Sequence, residues 1–215
     1  MNDMKNKSEE VQKYILNPTS YSSLPYYKTT IFEIPDNMLE LNDEEFNANL
    51  LLDYDDDPYF KLLHTLSFIE EFSLPENLKF VECSVEDYAN HINACYEEEY
   101  ISAEELESYK YKTVYNKTLW VCLYDFEHNK IAATGIAEYD PVVNEGILDW
   151  IQVSHDYRGK KIGKIVVNEL LKRLKEMAMY VTVSGRCKNQ TKPEYLYKSC
   201  GFQNETIWHI LTKKI

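Results

Sequence analysis

The stretch Asp149-Trp150-Ile151-Gln152-Val153-Ser154-His155-Asp156-Tyr157-Arg158-Gly159-Lys160-Lys161-Ile162-Gly163-Lys164 holds the residues most suited to chemistry. It reads as a buried strand, a glycine-bearing basic loop and the start of a helix. Unpaired N–H groups at a helix start, with the positive end of its dipole, form an anion site. Gly159 and Gly163 let backbone approach an anion, and Arg158, Lys160, Lys161 and Lys164 add four positive charges there.

Spacing narrows the anion. A Walker loop has four residues between its glycines and a hydroxyl residue after the lysine. Here three residues separate Gly159 from Gly163, and Ile165 follows Lys164. A dinucleotide fingerprint, G-x-G-x-x-G, is absent. The loop instead resembles motif A of the GNAT superfamily of N-acetyltransferases, written Q or R, x, x, G, x, G or A. Arg158 takes the first position and Gly163 the last, while Lys161 stands where the middle glycine belongs. Ile151-Gln152-Val153 is similar to the L-x-V that precedes motif A in the family. Downstream, Asn189 and the run Leu196-Tyr197-Lys198-Ser199-Cys200-Gly201-Phe202 resemble motif B.

The resemblance covers about Leu78 to Ile215 and implies a cofactor, a fold and a mechanism. The fold implied is α/β: a mixed, mostly antiparallel sheet flanked by helices, with a central parallel strand pair splayed around acetyl-CoA. The N–H of Val153, beside Ile151, would face the thioester or pantetheine. N–H groups of Arg158, Gly159, Lys160, Lys161, Ile162, Gly163 and Lys164 would hold the pyrophosphate, and Asn189 would hydrogen-bond the cofactor. An acceptor amine would attack the acetyl carbonyl directly, helped by proximity and an oxyanion donor. Tyr197 matches the tyrosine that protonates the departing thiolate, two groups of comparable basicity. Glu138, Asp140, Glu145 and Asp149 are candidates for the base, with a water chain as the alternative. Asp149 shares strand parity with Ile151 and Val153.

The elements that must position these residues follow from periodicity. Gly146–Ser154 is a strand apolar on both faces. Ile162 to about Ala178 is the strongest helix, with apolar positions recurring every four residues. Tyr180–Ser184 is a strand parallel to Gly146–Ser154 if the crossover is a βαβ unit. Upstream come a strand at Lys79–Ser84, helices at Glu86–Glu99 and Ala103–Tyr115, and paired strands at Leu119–Tyr124 and Ile131–Ala137 with His128-Asn129 in the turn. Ser102 and Glu105 form a capping-box pattern. A short helix at Glu194–Cys200 and a strand at Thr206–Thr212 close the sequence. Domain limits are set at 1–76, an acidic Tyr- and Pro-rich extension packed on the core, and 77–215, the acetyltransferase domain. Within the extension a helix is expected over Tyr59–Phe72. The alternating Asp53, Asp55 and Asp57 fail as a calcium loop, since Pro58 and His64 replace the required glycine and glutamate; they are read as an acidic helix start.

Composition sets the outer limits. The 215 residues, 44% hydrophobic and 27% charged, suit a globular core. Of the net charge of −13, residues 158–215 contribute +9 and the remainder −22. Such a balance disfavours nucleic acid, suits a polyanionic cofactor at its basic end, and is compatible with a cationic acceptor. No apolar stretch suggests a signal peptide or a membrane span. Five scattered cysteines lack zinc or redox spacing and read as free, packed thiols in a reducing cytoplasm. No Cys/His/Asp constellation for a covalent acetyl-enzyme is readable, and no metal site is expected. The competing readings are a non-catalytic acyl-CoA-binding domain and an interaction module whose acidic residues 1–75 bind a basic partner. The acceptor is not identified, and a homodimer is neither required nor excluded.

Overall fold

The computed structural model describes residues 2–96 and 99–215, with side chains from residue 9 onward. In chain order the elements are α1 (Asn2–Leu16), α2 (Pro18–Tyr21), α3 (Tyr26–Thr29), β1 (Met38–Asn42), β2 (Tyr54–His64), β3 (Leu78–Val81) and α4 (Val85–Cys95). Then follow α5 (Ala103–Ser108), β4 (Trp120–Asp125), β5 (Lys130–Asp140), β6 (Glu145–Val153), α6 (Ile162–Leu174), β7 (Tyr180–Arg186), α7 (Pro193–Ser199) and β8 (Gln203–Lys213). The fold is the expected α/β type, with eight strands, mostly antiparallel, and flanking helices. It divides into two compact units: Met1–His64 with Thr182–Lys198 and Phe202–Ile215, and Thr65–Val181 with Ser199–Gly201.

In the first unit the strand order is β1-β8-β2-β7. β8 runs antiparallel to both β1 and β2, pairing Leu41 with His209 on one side and Pro58 with His209 on the other. The helix expected over Tyr59–Phe72 is therefore incorrect: its first half is the end of β2. With strands on both sides and cover on both faces, Phe60, Lys61, Leu62, Leu63 and His64 are all buried. That turns the alternating signature of a strand into a continuous run. The acidic stretch before it is strand too, with Asp56 bonded to His209 Nδ1 (3.0 Å) and Asp57 to Arg186 Nε (3.1 Å). Proline is unusual inside a sheet because it lacks an N–H. Pro58 is tolerated here because it faces Cys187, one residue past the end of β7, where only its carbonyl is used (2.8 Å).

Lys61 fixes the N-terminal segment to this unit. It is fully buried, and its Nζ donates to the carbonyls of Ser22 (2.9 Å) and Leu24 (2.7 Å) and to Tyr14 Oη (3.2 Å). A buried ammonium is retained only when its donors are satisfied, and these three acceptors lie in the α1–α3 region.

In the second unit the order is β6-β5-β4-β3, all antiparallel. β7 starts alongside β6: Met179 N–H donates to the Asn144 carbonyl (2.9 Å), and a side chain at Gly146 would meet Val181. The two strands start together and run parallel, giving one parallel pair among the described residues. α6 lies close on this sheet because two glycines admit it. A Cβ at Gly135 would stand 2.6 Å from Val166 Cγ1, and one at Gly146 would stand 2.8 Å from Leu174 Cδ2.

Several expected boundaries shift. α4 ends at Cys95, and residues 97–98 of the expected helix lie outside the described residues. α5 stops at Ser108 and continues as a 3-10 turn to Tyr111, with Ser102 Oγ accepting from Glu105 N–H. α6 ends at Leu174 rather than Ala178. The expectation of five free thiols is also corrected: Cys83, just past β3, is disulfide-bonded to Cys122 on its neighbour β4. Among the described residues, no helix is long and apolar enough to cross a membrane.

Candidate functional site

The basic loop leaves β6 through Ser154, makes a 3-10 turn at His155–Tyr157, and enters α6 at Ile162. Two residues reverse the backbone: Gly159 at φ +75° and Lys161 at φ +63°. Lys161 therefore adopts the left-handed conformation that a glycine would take most easily, and serves as N-cap of α6 without a side-chain cap bond. A non-glycine residue there costs about 1–2 kcal/mol. Such strain collects where the loop shape itself is used. The loop thus retains the glycine-type curvature despite its lysine. We expect Lys161→Gly to stabilise the fold by ~0.5–1 kcal/mol net of unfolded-chain freedom, with Lys161→Ala neutral; urea unfolding of the three proteins checks this.

The cations divide into two groups. Lys160 and Lys161 are exposed on the loop, Lys160 lying 5.4 Å from the Tyr157 ring centre. Arg158 is a strut: Nε donates to the Val153 carbonyl (3.2 Å) and Nη2 to the Cys95 carbonyl (3.0 Å). Its own N–H is bonded to the His155 carbonyl (3.2 Å), so the backbone donors left for an anion begin at Gly159. Lys164 is ion-paired with Glu70 (2.5 Å), whose carbonyl also accepts from Asn168 Nδ2 (3.2 Å). Ile162 is buried at 4% exposure and offers only backbone to the loop, whereas Gly163 is half-buried.

On β6, the Ser154 N–H bonds the Ala132 carbonyl (3.0 Å), and Val153 is opposite Ala133. Antiparallel bonding alternates, so Val153 and Ile151 aim N–H and C=O away from β5. The register slips between Ile136–Trp150 and Ala137–Leu148, making Asp149 the extra residue of a β-bulge. The parity expected to link Asp149 with Ile151 and Val153 is broken there.

Beneath the loop is a buried polar chain that sequence reasoning missed. Gln152 Nε2 donates to Thr134 Oγ1 (2.8 Å), which meets His91 Nδ1 (2.9 Å). His91 Nε2 meets Ser154 Oγ (2.8 Å), which donates to the Ile131 carbonyl (2.7 Å). Because Ser154 Oγ donates to the Ile131 carbonyl, His91 carries a proton on Nε2, and the neutral ring accepts at Nδ1 from Thr134 Oγ1. Burial pushes its pKa down to about 4. Because the folded value lies below the unfolded one, the unfolded chain takes up the proton first as pH falls. Stability from this site is full above about pH 6.5 and is lost down to about pH 4. The loss is on the order of 3 kcal/mol. Urea unfolding across this range should show wild type losing stability against His91→Gln by that amount; parallel curves would refute it. The only sequence signal was a histidine inside the amphipathic pattern of α4.

A second anchor is Tyr157, whose Oη donates to Asp125 Oδ2 (2.7 Å). Asp125 also accepts from the N–H groups of Glu127 (2.8 Å) and His128 (3.1 Å) and from His128 Nδ1 (3.0 Å). Burial works against its charge, but the hydrogen bonds from Tyr157, Asn77 and His128 win and hold the carboxyl well below the usual range. Asp125, Glu127 and His128 stand close enough to bracket an ion. The carboxylate is already saturated by protein donors, which makes it a turn anchor.

In the first unit, Tyr197 is buried on α7, its ring 5.7 Å from that of Phe202 and 6.3 Å from that of Phe60. Asn189 holds a turn before α7: Oδ1 accepts from Thr191 N–H (2.9 Å) and Oγ1 (2.7 Å). Of the candidate bases, Glu138 is buried against Lys112 Nζ (3.2 Å), and Asp140 is pushed up by burial. The thiols are not poised as nucleophiles. Burial raises Cys95 and pushes Cys187 and Cys200 up to about 11.

A family model described as the Acetyltransferase (GNAT) family matches residues 85–202, more than half of the chain. The chain belongs to this family. Its fold is similar to a solved GCN5-related N-acetyltransferase from Sphaerobacter thermophilus, at TM-score 0.60 and 15% identity over 82% of this chain and 61% of that one. A GNAT-family acetyltransferase from Colwellia psychrerythraea gives 0.57 and 15% over 81% and 64%. A GCN5-related N-acetyltransferase from Kribbella flavida gives 0.53 and 13% over 83% and 68%. The chain thus spans less than two thirds of the length of the Sphaerobacter and Colwellia proteins. No curated protein matches it. At these identities the solved structures show a shared fold, and the family rests on the match over residues 85–202.

Proposed function

We propose that this chain is an acetyl-CoA-dependent N-acetyltransferase that passes the acetyl group directly to a primary amine. The observation that carries the reading is the left-handed backbone at Lys161 leading into α6. That curvature turns the N–H groups from Gly159 to Lys164 into a cradle at a helix N-terminus, suited to a pyrophosphate. Lys160 and Lys161 supply charge, while Arg158 and the His91 chain hold the loop in shape. The Val153 N–H, which points away from β5, supports a role as donor to the acyl carbonyl. The amine nitrogen bonds to the carbonyl carbon, the carbon–sulfur bond breaks, and Tyr197 gives its proton to the thiolate. The amine loses its surplus proton to a carboxylate or to water. Raised thiol pKa values support direct transfer, because a protonated thiol does not form an acetyl-enzyme.

Calorimetry with acetyl-CoA and thiol release over a panel of amines test the two halves separately. Binding and amine-dependent thiol release are expected. Absence of binding removes the cofactor, whereas binding with a silent panel removes the enzyme and leaves an acyl-CoA-binding domain.

A further inference from the structure

The first unit contains a cavity of about 510 Å³. Small-molecule sites fall in the range of about 300–1,000 Å³ and are mostly apolar with few polar groups. Here Leu24, Ile31, Phe32, Ile34, Met38 and Ile210 form the wall. Its polar residues are engaged by the protein itself. Glu40 Oε1 accepts from Ser23 N–H (2.9 Å), Ser184 Oγ donates to the Ser23 carbonyl (3.0 Å), and Tyr59 Oη accepts from Arg186 Nε (2.8 Å). Lys28, also on the wall, is partnered as well. What the cavity offers a ligand is therefore apolar surface.

The rim has the same character. Ile31, Phe32 and Ile34, between α3 and β1, are 69%, 48% and 49% exposed. Grouped apolar residues left in water around a concavity mark a ligand site more than a folding need. Position adds a second argument. Tyr59 and Phe60 are consecutive on β2 and point to opposite faces. Phe60 packs toward Tyr197 and fills the space beside Gly185, whereas Tyr59 and Ser184 line the cavity. The cavity and the proposed proton donor thus occupy opposite faces of the β2–β7 pair. Ser184 lies on β7, the strand that the family resemblance sets beside the cofactor.

We infer that this cavity receives the apolar body of the acceptor, making the substrate class small primary amines with an alkyl or aryl group. Polyamines and amino sugars would have to shed water against a wall that offers little in return. The assignment of the ligand as acceptor rests on the acetyl-transfer reading; the cavity's preference for apolar amines does not.

Calorimetry on the full chain without acetyl-CoA, using butylamine, hexylamine, octylamine and spermidine, tests it. Affinity should rise about fourfold per added methylene until the cavity is full. Ile34→Glu, at an exposed position, should keep the melting temperature and weaken octylamine at least tenfold. Affinity that is flat from butylamine to octylamine, octylamine binding unchanged in Ile34→Glu, or spermidine binding as tightly as octylamine overturns the inference. Octylamine that binds as described but yields no thiol with acetyl-CoA refutes the acetyl-transfer reading and leaves the cavity standing. Acetylation of spermidine without dependence on alkyl length refutes the cavity alone.

Discussion

Replacing Tyr197 with phenylalanine should lower turnover about a hundredfold while leaving acetyl-CoA binding unchanged. General acid catalysis typically contributes about 10²–10⁴-fold. The phenylalanine ring preserves the edge-to-face contact with Phe202 and the tilted contact with Phe60, so only the hydroxyl is lost. A purely packing role predicts the reverse for Tyr197→Ala and Tyr197→Phe together: stability lost in the first, activity kept in the second. Steady-state kinetics with the amine identified by the panel decide between them. Wild-type turnover in Tyr197→Phe removes the residue from the mechanism.

Lys61→Ala should destabilise the protein by about 3–5 kcal/mol, the range for removing one partner from a buried charged network. The buried carbonyl of Ser22 and the part-buried carbonyl of Leu24 lose their donor, and a void opens beneath Tyr14. For a chain of this length each kcal/mol lowers the melting temperature by about 2–4 °C, so a fall of about 6–20 °C is expected. Lys61→Met, which keeps the stem, should recover part of the loss. A fall below about 1 kcal/mol in both variants would mean that water replaces the ammonium without difficulty.

The site loop was the most legible part of the sequence, because its cues were local. Glycines, a basic run and a four-residue apolar repeat specify strand, turn and helix with little outside information. The β4–β5 hairpin was legible for the same reason, with Asn129 at positive φ in its turn. β2 was not. Phe60, Leu63, Leu66 and Phe68 satisfy helical spacing, and only β8 on one side and β7 on the other make Tyr54–His64 a strand. Those neighbours lie more than a hundred residues away in the chain. Pro58 also argued locally against a sheet interior, and its tolerance depends on where β7 ends. Within the site, the polar chain through His91 was illegible because its members come from α4, β5, β6 and the loop after it. Arg158 and Lys164 show the limit of counting charges: one braces carbonyls and the other is paired with Glu70.

The strand order of the first unit has a consequence in time. β1 and β2, near the start of the chain, do not pair with each other; both pair with β8, between them. During synthesis from the N-terminus, β2 must wait for residues 180–186, and β1 for residues 203–213, before a neighbouring strand emerges. Sheets joined over such sequence distances form slowly and leave open edges meanwhile. Nascent chains should therefore lean on chaperones until β8 is released. A premature stop inside β8 would remove the middle of this unit, not its rim.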